Sequence, residues 1–211
     1  MWSRVEKRLT SETERDRSML GHQSKESGII TTTMNIFDLI SGIVKDAKRR
    51  VYCRINPVGY AKSIGVKVGN NCRLLDVDFG SEPYLIVLGD HVSATQVKFI
   101  THDGGVWVFR NKHRKADVIA GIKVGNNVFL GLGVTVLPGV TIGDNVVVGS
   151  GAIVAEDIPS NCVAIGVPAR PIKTLDEYWT SIEPRIIPTK DMSSKEKRAY
   201  LIKRFKRTDL H

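Results

Sequence analysis

Aliphatic side chains recur every six residues through the middle of this 211-residue chain, and very few folds admit that period. They stand at Val118, Val124, Leu130, Val136, Ile142, Val148 and Val154. A second set of small or branched residues follows four places later, at Ile122, Val128, Val134, Val140, Val146, Ala152 and Ile158. An α-helix carries successive sixth residues off any one face, and an ordinary strand reaches a turn long before such a run ends. Each hexad instead suits one short flat strand and one tight corner. The glycine or asparagine in Gly125-Asn126-Asn127 and Gly143-Asp144-Asn145 accepts the positive φ that a corner needs. Three sides close a triangular coil, and coils stacked at ~4.8 Å align their aliphatic residues in internal ladders. Stacking buries what a single repeat cannot.

Weaker hexads precede the main run. They begin at Val68-Gly69-Asn70-Asn71-Cys72-Arg73 and continue through Leu74, Ile86 and Val92, with an imperfect stretch from Asp76 to Tyr84. The period breaks over residues 100–117, which contain Thr101-His102-Asp103-Gly104-Gly105, Trp107 and His113. A loop that interrupts a rigid repeat is where function tends to sit. Four regions are therefore expected: a mobile polar leader over 1–33, an N-terminal helical cap over 34–58, a β-helix over 59–173, and a C-terminal arm with a basic helix over 174–211. In the second region Ile36, Phe37, Leu39, Ile40, Ile43 and Val44 recur at helical spacing behind Asn35 as N-cap. Two partners fit that helix, the open end of the solenoid or an acidic membrane surface. In the last region Leu175 to Pro188 reads as an irregular arm, and Ser193-Ser194-Lys195-Glu196 has the spacing of a capping box that opens a helix.

Charge and cysteine usage narrow the function. Lysine and arginine outnumber aspartate and glutamate by 31 to 22, which attracts anions. The excess falls in short clusters, Lys48 to Arg50, Arg110 to Lys115 and Lys195 to Arg207, rather than in one stripe, which weakens a nucleic-acid reading. Cys53, Cys72 and Cys162 have neither CxxC nor Cys/His metal spacing and read as reduced thiols of a cytoplasmic protein. Membrane contact is compatible with the basic segments but not required.

The run Ile119 to Val154, the stretch Leu137-Pro138-Gly139-Val140-Thr141-Ile142-Gly143 and the exit Ala164-Ile165-Gly166-Val167-Pro168-Ala169-Arg170 together resemble the hexapeptide-repeat acyltransferases. The resemblance spans about residues 59 to 174 and runs most closely to the sugar O-acetyltransferase branch. It implies a left-handed parallel β-helix, a homotrimer, and acetyl-CoA as co-substrate in the groove between neighbouring coils, with no metal. It also implies a loop histidine as general base, and His102 matches it. A sugar hydroxyl is a poor nucleophile at neutral pH until a base takes its proton, a contribution of ~10²–10⁴-fold. Asp103, or a carboxylate from elsewhere, would orient that imidazole. Trp107 offers a platform for a sugar ring or packs on a neighbouring subunit, and His113 meets acceptor or CoA or is simply part of a basic loop. Gly131, Gly133, Gly149 and Gly151 let the pantetheine arm approach the backbone or are plain corner residues, and Arg170 and Lys173 match the family's phosphate-binding exit.

The expected function is thus CoA-dependent O-acetyl transfer to a sugar or polysaccharide-precursor hydroxyl, the acceptor being a small molecule or glycan. Two rivals stand beside it. One is a non-catalytic β-helix scaffold, which has no reason to interrupt its ladders at His102. The other is a zinc-dependent carbonic anhydrase of the γ type, suggested by His91, His102 and His113 at intervals of eleven. That family calls for two histidines five apart in one loop, and this chain has no such pair.

Overall fold

The computed structural model describes residues 51–205, so the leader over 1–33 and the helix expected around Ile36 to Val44 lie outside the described residues. Helix α1 (Pro57–Ser63) opens behind Asn56, whose side chain accepts a hydrogen bond from the Gly59 N–H (2.9 Å). Proline at the first helical position gives up no bond there, because its missing N–H has no intrahelical partner. Ala61 seats this helix on the core.

Thirteen strands follow among the described residues, and the parallel ones fall into three sheets that form the sides of a left-handed parallel β-helix. The first side stacks β1 (Lys67–Val68), β3 (Ile86–Leu88), β6 (Ile122–Val124) and β9 (Thr141–Ile142). The second stacks β2 (Arg73–Leu75), β4 (Ser93–Thr95), β7 (Val128–Leu130), β10 (Val146–Val148) and β12 (Cys162–Gly166). The third stacks β5 (Lys98–Phe99), β8 (Thr135–Val136) and β11 (Ile153–Val154). Coil length is read from the register: Lys67 pairs with Val87, Val87 with Lys123, and Lys123 with Thr141. The first step spans 20 residues, the second 36 and the third the regular 18, so the second coil carries the insertion.

The ladders expected from the hexads form the core. Val124, Leu130, Val136, Ile142, Val148 and Val154 are buried, as are Ile122, Val128, Val134, Val140, Val146, Ala152 and Ile158. Phe79 continues the third side, its ring stacked on Phe99 at 5.7 Å, so the stretch from Asp76 to Tyr84 belongs to the solenoid at least as far as Phe79. Val118 does not join a ladder. It is half-exposed because the chain there is still returning from the insertion, its carbonyl accepting from the Asp103 N–H (2.8 Å).

Between the first and second sides the corners divide the work between two residue types. Asn71, His91, Asn127, Asn145 and Asn161 take positive φ, between 53° and 62°, where an L residue other than Asn, Asp or Gly is strained. The glycines beside them serve the stacking: a Cβ on Gly125 would stand 2.8 Å from the carbonyl carbon of Gly143 in the next coil. Side chains then tie coil to coil. The Asn127 amide donates to Asn145 Oδ1 (2.8 Å) and the Asn145 amide to Asn161 Oδ1 (3.0 Å).

Parallel stacking ends at β13 (Ala169–Thr174), which folds back antiparallel on β12. The segment after Lys173 is more regular than an irregular arm. Helix α2 (Leu175–Ile182) starts with a full capping box between Thr174 and Glu177, and Leu175, Tyr178 and Ile182 turn one half-buried face inward. Helix α3 (Ser194–Arg204) opens with the expected box between Ser193 and Glu196 and buries no residue.

Candidate active site

The insertion leaves the solenoid after β5 on the third side and rejoins it before β6 on the first. Its neck is a short antiparallel bridge between His102 and Ile119, closed by the Ala120 N–H on the Thr101 carbonyl (2.8 Å) and the Asp103 N–H on the Val118 carbonyl (2.8 Å). His102 therefore sits where the rigid coil ends, not on the free part of the loop.

Beneath it, Thr101 is fully buried and its hydroxyl donates to Glu82 Oε2. The same carboxylate oxygen lies 3.3 Å from His102 Nδ1. Thr101's hydrogen bond is the main reason the Glu82 carboxyl is held below its ordinary range, with His102 reinforcing it against partial desolvation. An ionised carboxylate can only accept, so Nδ1 carries the proton in this contact, and in the neutral ring Nε2 keeps its lone pair. The side chain is 42% exposed. This arrangement can take a proton from a hydroxyl and hold the imidazolium that results.

Glu82 was not legible in the sequence. It stands at the 20-residue step of the first coil, the step that also pairs Asp78 with Lys98 and Arg73 with Ser93. Counting that step from His102 would have found it. Asp103 serves the loop instead, because its Oδ1 accepts from the Gly105 N–H (2.8 Å) and caps the 3-10 turn Gly104–Phe109. Trp107 and His113 lie farther out on the insertion, both exposed.

The four glycines separate into two kinds. Gly131 and Gly149 are closed over by the following coil, where an added Cβ would meet Ser150 N at 2.6 Å and Ile165 Cγ2 at 2.7 Å. Gly133 and Gly151 share a φ of 72° and have open space where a Cβ would stand, so only they offer bare backbone to a ligand. Both lie at the corner between the second and third sides, whereas His102 lies between the third and the first. Arg170, on the terminal hairpin, pairs with Glu156 Oε1 (2.6 Å), and Lys173 lies opposite Val163 in the same hairpin. No hydrogen bond joins any of these residues to His102 among the described residues. The histidines at intervals of eleven also stay apart in role: His91 Nδ1 meets Asn127 Oδ1 (2.9 Å) at a corner. Among the described residues, no three His, Cys, Asp or Glu side chains group to hold a metal ion.

Comparison with known proteins gives the class to which this hexapeptide-repeat prism belongs. The family model for bacterial transferase hexapeptide repeats matches residues 121–156. Protein CapG of Staphylococcus aureus is 51% identical over 149 residues, which cover 69% of this chain and 87% of that protein. A maltose O-acetyltransferase from Clostridium difficile is 37% identical over 52% of this chain and 59% of its own, with a TM-score of 0.45. A hexapeptide-repeat acetyltransferase from Vibrio cholerae, solved with acetyl coenzyme A, is 26% identical over 53% of this chain and 61% of its own, with a TM-score of 0.43. The chain thus spans about three fifths of these two solved structures. It belongs to the family of bacterial hexapeptide-repeat transferases.

Proposed function

We propose that this chain is an acetyl-CoA-dependent O-acetyltransferase that acts on a hydroxyl of a sugar or polysaccharide precursor. The observation that carries the reading is the Glu82–His102 contact at the neck of the insertion. His102 Nε2 takes the acceptor hydroxyl proton as the oxygen attacks the thioester carbonyl carbon. The C–S bond of the tetrahedral intermediate then breaks, and the imidazolium returns the proton to the leaving thiolate. No acyl-enzyme forms, and no cysteine is needed. Cys72 and Cys162 fit that reading, since their thiols are spent on backbone carbonyls.

The donor fits the chain's own groups in two places. Gly133 and Gly151 leave backbone open to a slender arm, and Arg170 and Lys173 supply cations for phosphates. In this reading the working unit is a cytoplasmic homotrimer built on residues 59–173. No helix among the described residues is long and apolar enough to cross a membrane.

The test is acetyl transfer from acetyl-CoA to a panel of sugars and amines by wild type and His102→Ala. Transfer to a sugar that falls about a hundredfold or more in the variant supports reaction class and base together. Absence of acetyl-CoA binding by calorimetry would sink the enzyme reading and leave a scaffold.

A further inference from the structure

Between its neck and its return, the insertion carries Arg110, Lys112, Arg114 and Lys115 within six positions, all exposed. Four like charges so close repel one another unless something compensates them. Nothing in the described residues does. The ion pairs there are His102–Glu82 and Arg170–Glu156, and neither involves this cluster. The two carboxylates on the insertion are turned onto their own backbone, Asp103 accepting from the Gly105 N–H and Asp117 from the Val118 N–H (3.0 Å). The cations alternate with no apolar stripe that would seat them on a helix face. They follow directly on Trp107 and Phe109, which are 75% and 60% exposed. Flat exposed rings beside guanidinium and ammonium groups are the equipment for a ligand with C–H faces and negative charge.

The cluster is also near the base. Gly104–Phe109 is a 3-10 turn, and at ~2 Å per residue it spans ~12 Å, so the Arg110 backbone begins within about that distance of the neck. That is the reach of a substrate whose charge sits a sugar unit away from its reacting hydroxyl. The donor is anionic too, but the proposed function assigns its phosphates to Arg170 and Lys173 on the terminal hairpin.

We propose that the acceptor is an anionic saccharide, its carboxylate or diphosphate held by Arg110, Lys112, Arg114 and Lys115 while His102 takes the hydroxyl proton. The proposal rests on the acetyltransferase reading for the reaction but not for the charge preference, which binding alone can measure. Calorimetry on the full chain would compare neutral methyl hexosides, the matching methyl hexuronides and the matching uridine diphosphate hexoses. The comparison is repeated with R110Q/K112Q/R114Q/K115Q, whose thermal midpoint reports on folding. One anionic series should bind at least about tenfold more tightly than its neutral counterpart, weaken as salt rises, and fall to the neutral level in the variant, with acetyl-CoA affinity kept. Tighter hexuronides assign a carboxylate, and tighter nucleotide sugars a diphosphate. The proposal is overturned if neither anionic series exceeds the neutral one, or if the variant loses acetyl-CoA affinity and keeps its saccharide preference. Acetyl-CoA that fails to bind wild type at all refutes the enzyme reading instead, and leaves the saccharide comparison to be judged separately.

Discussion

In the proposed mechanism Glu82 decides how His102 can act, because a side chain at 42% exposure has little else to fix its ring. Glu82→Gln keeps the shape and removes the charge that holds Nδ1 protonated. The expected result is a loss of about 10–100-fold in kcat/KM with the KM for acetyl-CoA nearly unchanged, the size of loss that follows removal of a carboxylate that orients a metal-bound histidine. A purely structural role for Glu82 would instead lower the melting midpoint and spare the turnover of the folded fraction. Thr101 supplies the sharper measurement. Its hydroxyl is the main cause of Glu82's lowered carboxyl, so the ionised pair is intact above the ordinary carboxyl value of 4.5 and is lost only as pH falls through the lowered one. Thr101→Val removes that hydrogen bond, lets the carboxyl take its proton at higher pH, and should move the acid limb of the kcat/KM profile upward. An unmoved limb would show that Glu82's protonation does not govern the base. His102 as a candidate was readable in the sequence, since a histidine in the long break of a regular repeat has few structural reasons to be there. Glu82 was not, because its partner lies one irregular coil away, and an 18-residue count from His102 lands on Tyr84 instead.

At the scale of the elements, the hexads were legible nearly residue by residue, because a buried ladder position tolerates little but aliphatic side chains and each strand is too short to blur the phase. Val118 was misplaced for the opposite reason: the spacing continues through it by chance while the backbone is still in the neck. Helix α2 was missed because its prolines Pro184 and Pro188 draw attention, although they lie beyond its end and Thr174 and Glu177 already form a start signal. The corners were read as places for glycine or asparagine, and the structure assigns positive φ to the asparagine and close packing to the glycine. That division predicts a graded pair of variants at Asn145. Asn145→Ala loses both amide rungs and puts at φ 55° a residue without the polar side chain that makes asparagine tolerant of the left-handed region, which should cost about 1–3 kcal/mol in urea unfolding. Asn145→Gly relieves the backbone strain but not the rungs, so it should recover part of that loss. Equal losses from both variants would mean that the conformation at this corner carries no strain.

For the whole molecule, the triangular section makes every coil bury its inward residues on the next, but it leaves the outward residues of each side without cover. On the second side Phe129 lies in register with Val147, and Val147 with Val163, forming an apolar row across three rungs. Only the far end of that row is shielded: Val163 is buried, Val147 half-buried and Phe129 exposed. A shallow cleft beside it is lined by Ser93, Phe129, Val147 and Leu175. An exposed phenylalanine at the edge of an apolar strip is what a subunit interface would use, and assembly would remove it from water at ~25 cal/mol per Å². Within one chain, His102 and the glycine pair Gly133 and Gly151 occupy different corners of the prism. The proposed homotrimer therefore predicts a solution mass about three times the 23.3 kDa of one chain. Phe129→Glu places a charge in that interface and should shift the mass toward a single chain, with the β-sheet circular dichroism retained. If the active site is shared between chains, acetyl transfer in that variant should rise with protein concentration more steeply than in proportion, because each assembled site needs a second copy. Activity strictly proportional to concentration, from a species of one-chain mass, would show that one prism is enough and that Phe129 serves another surface.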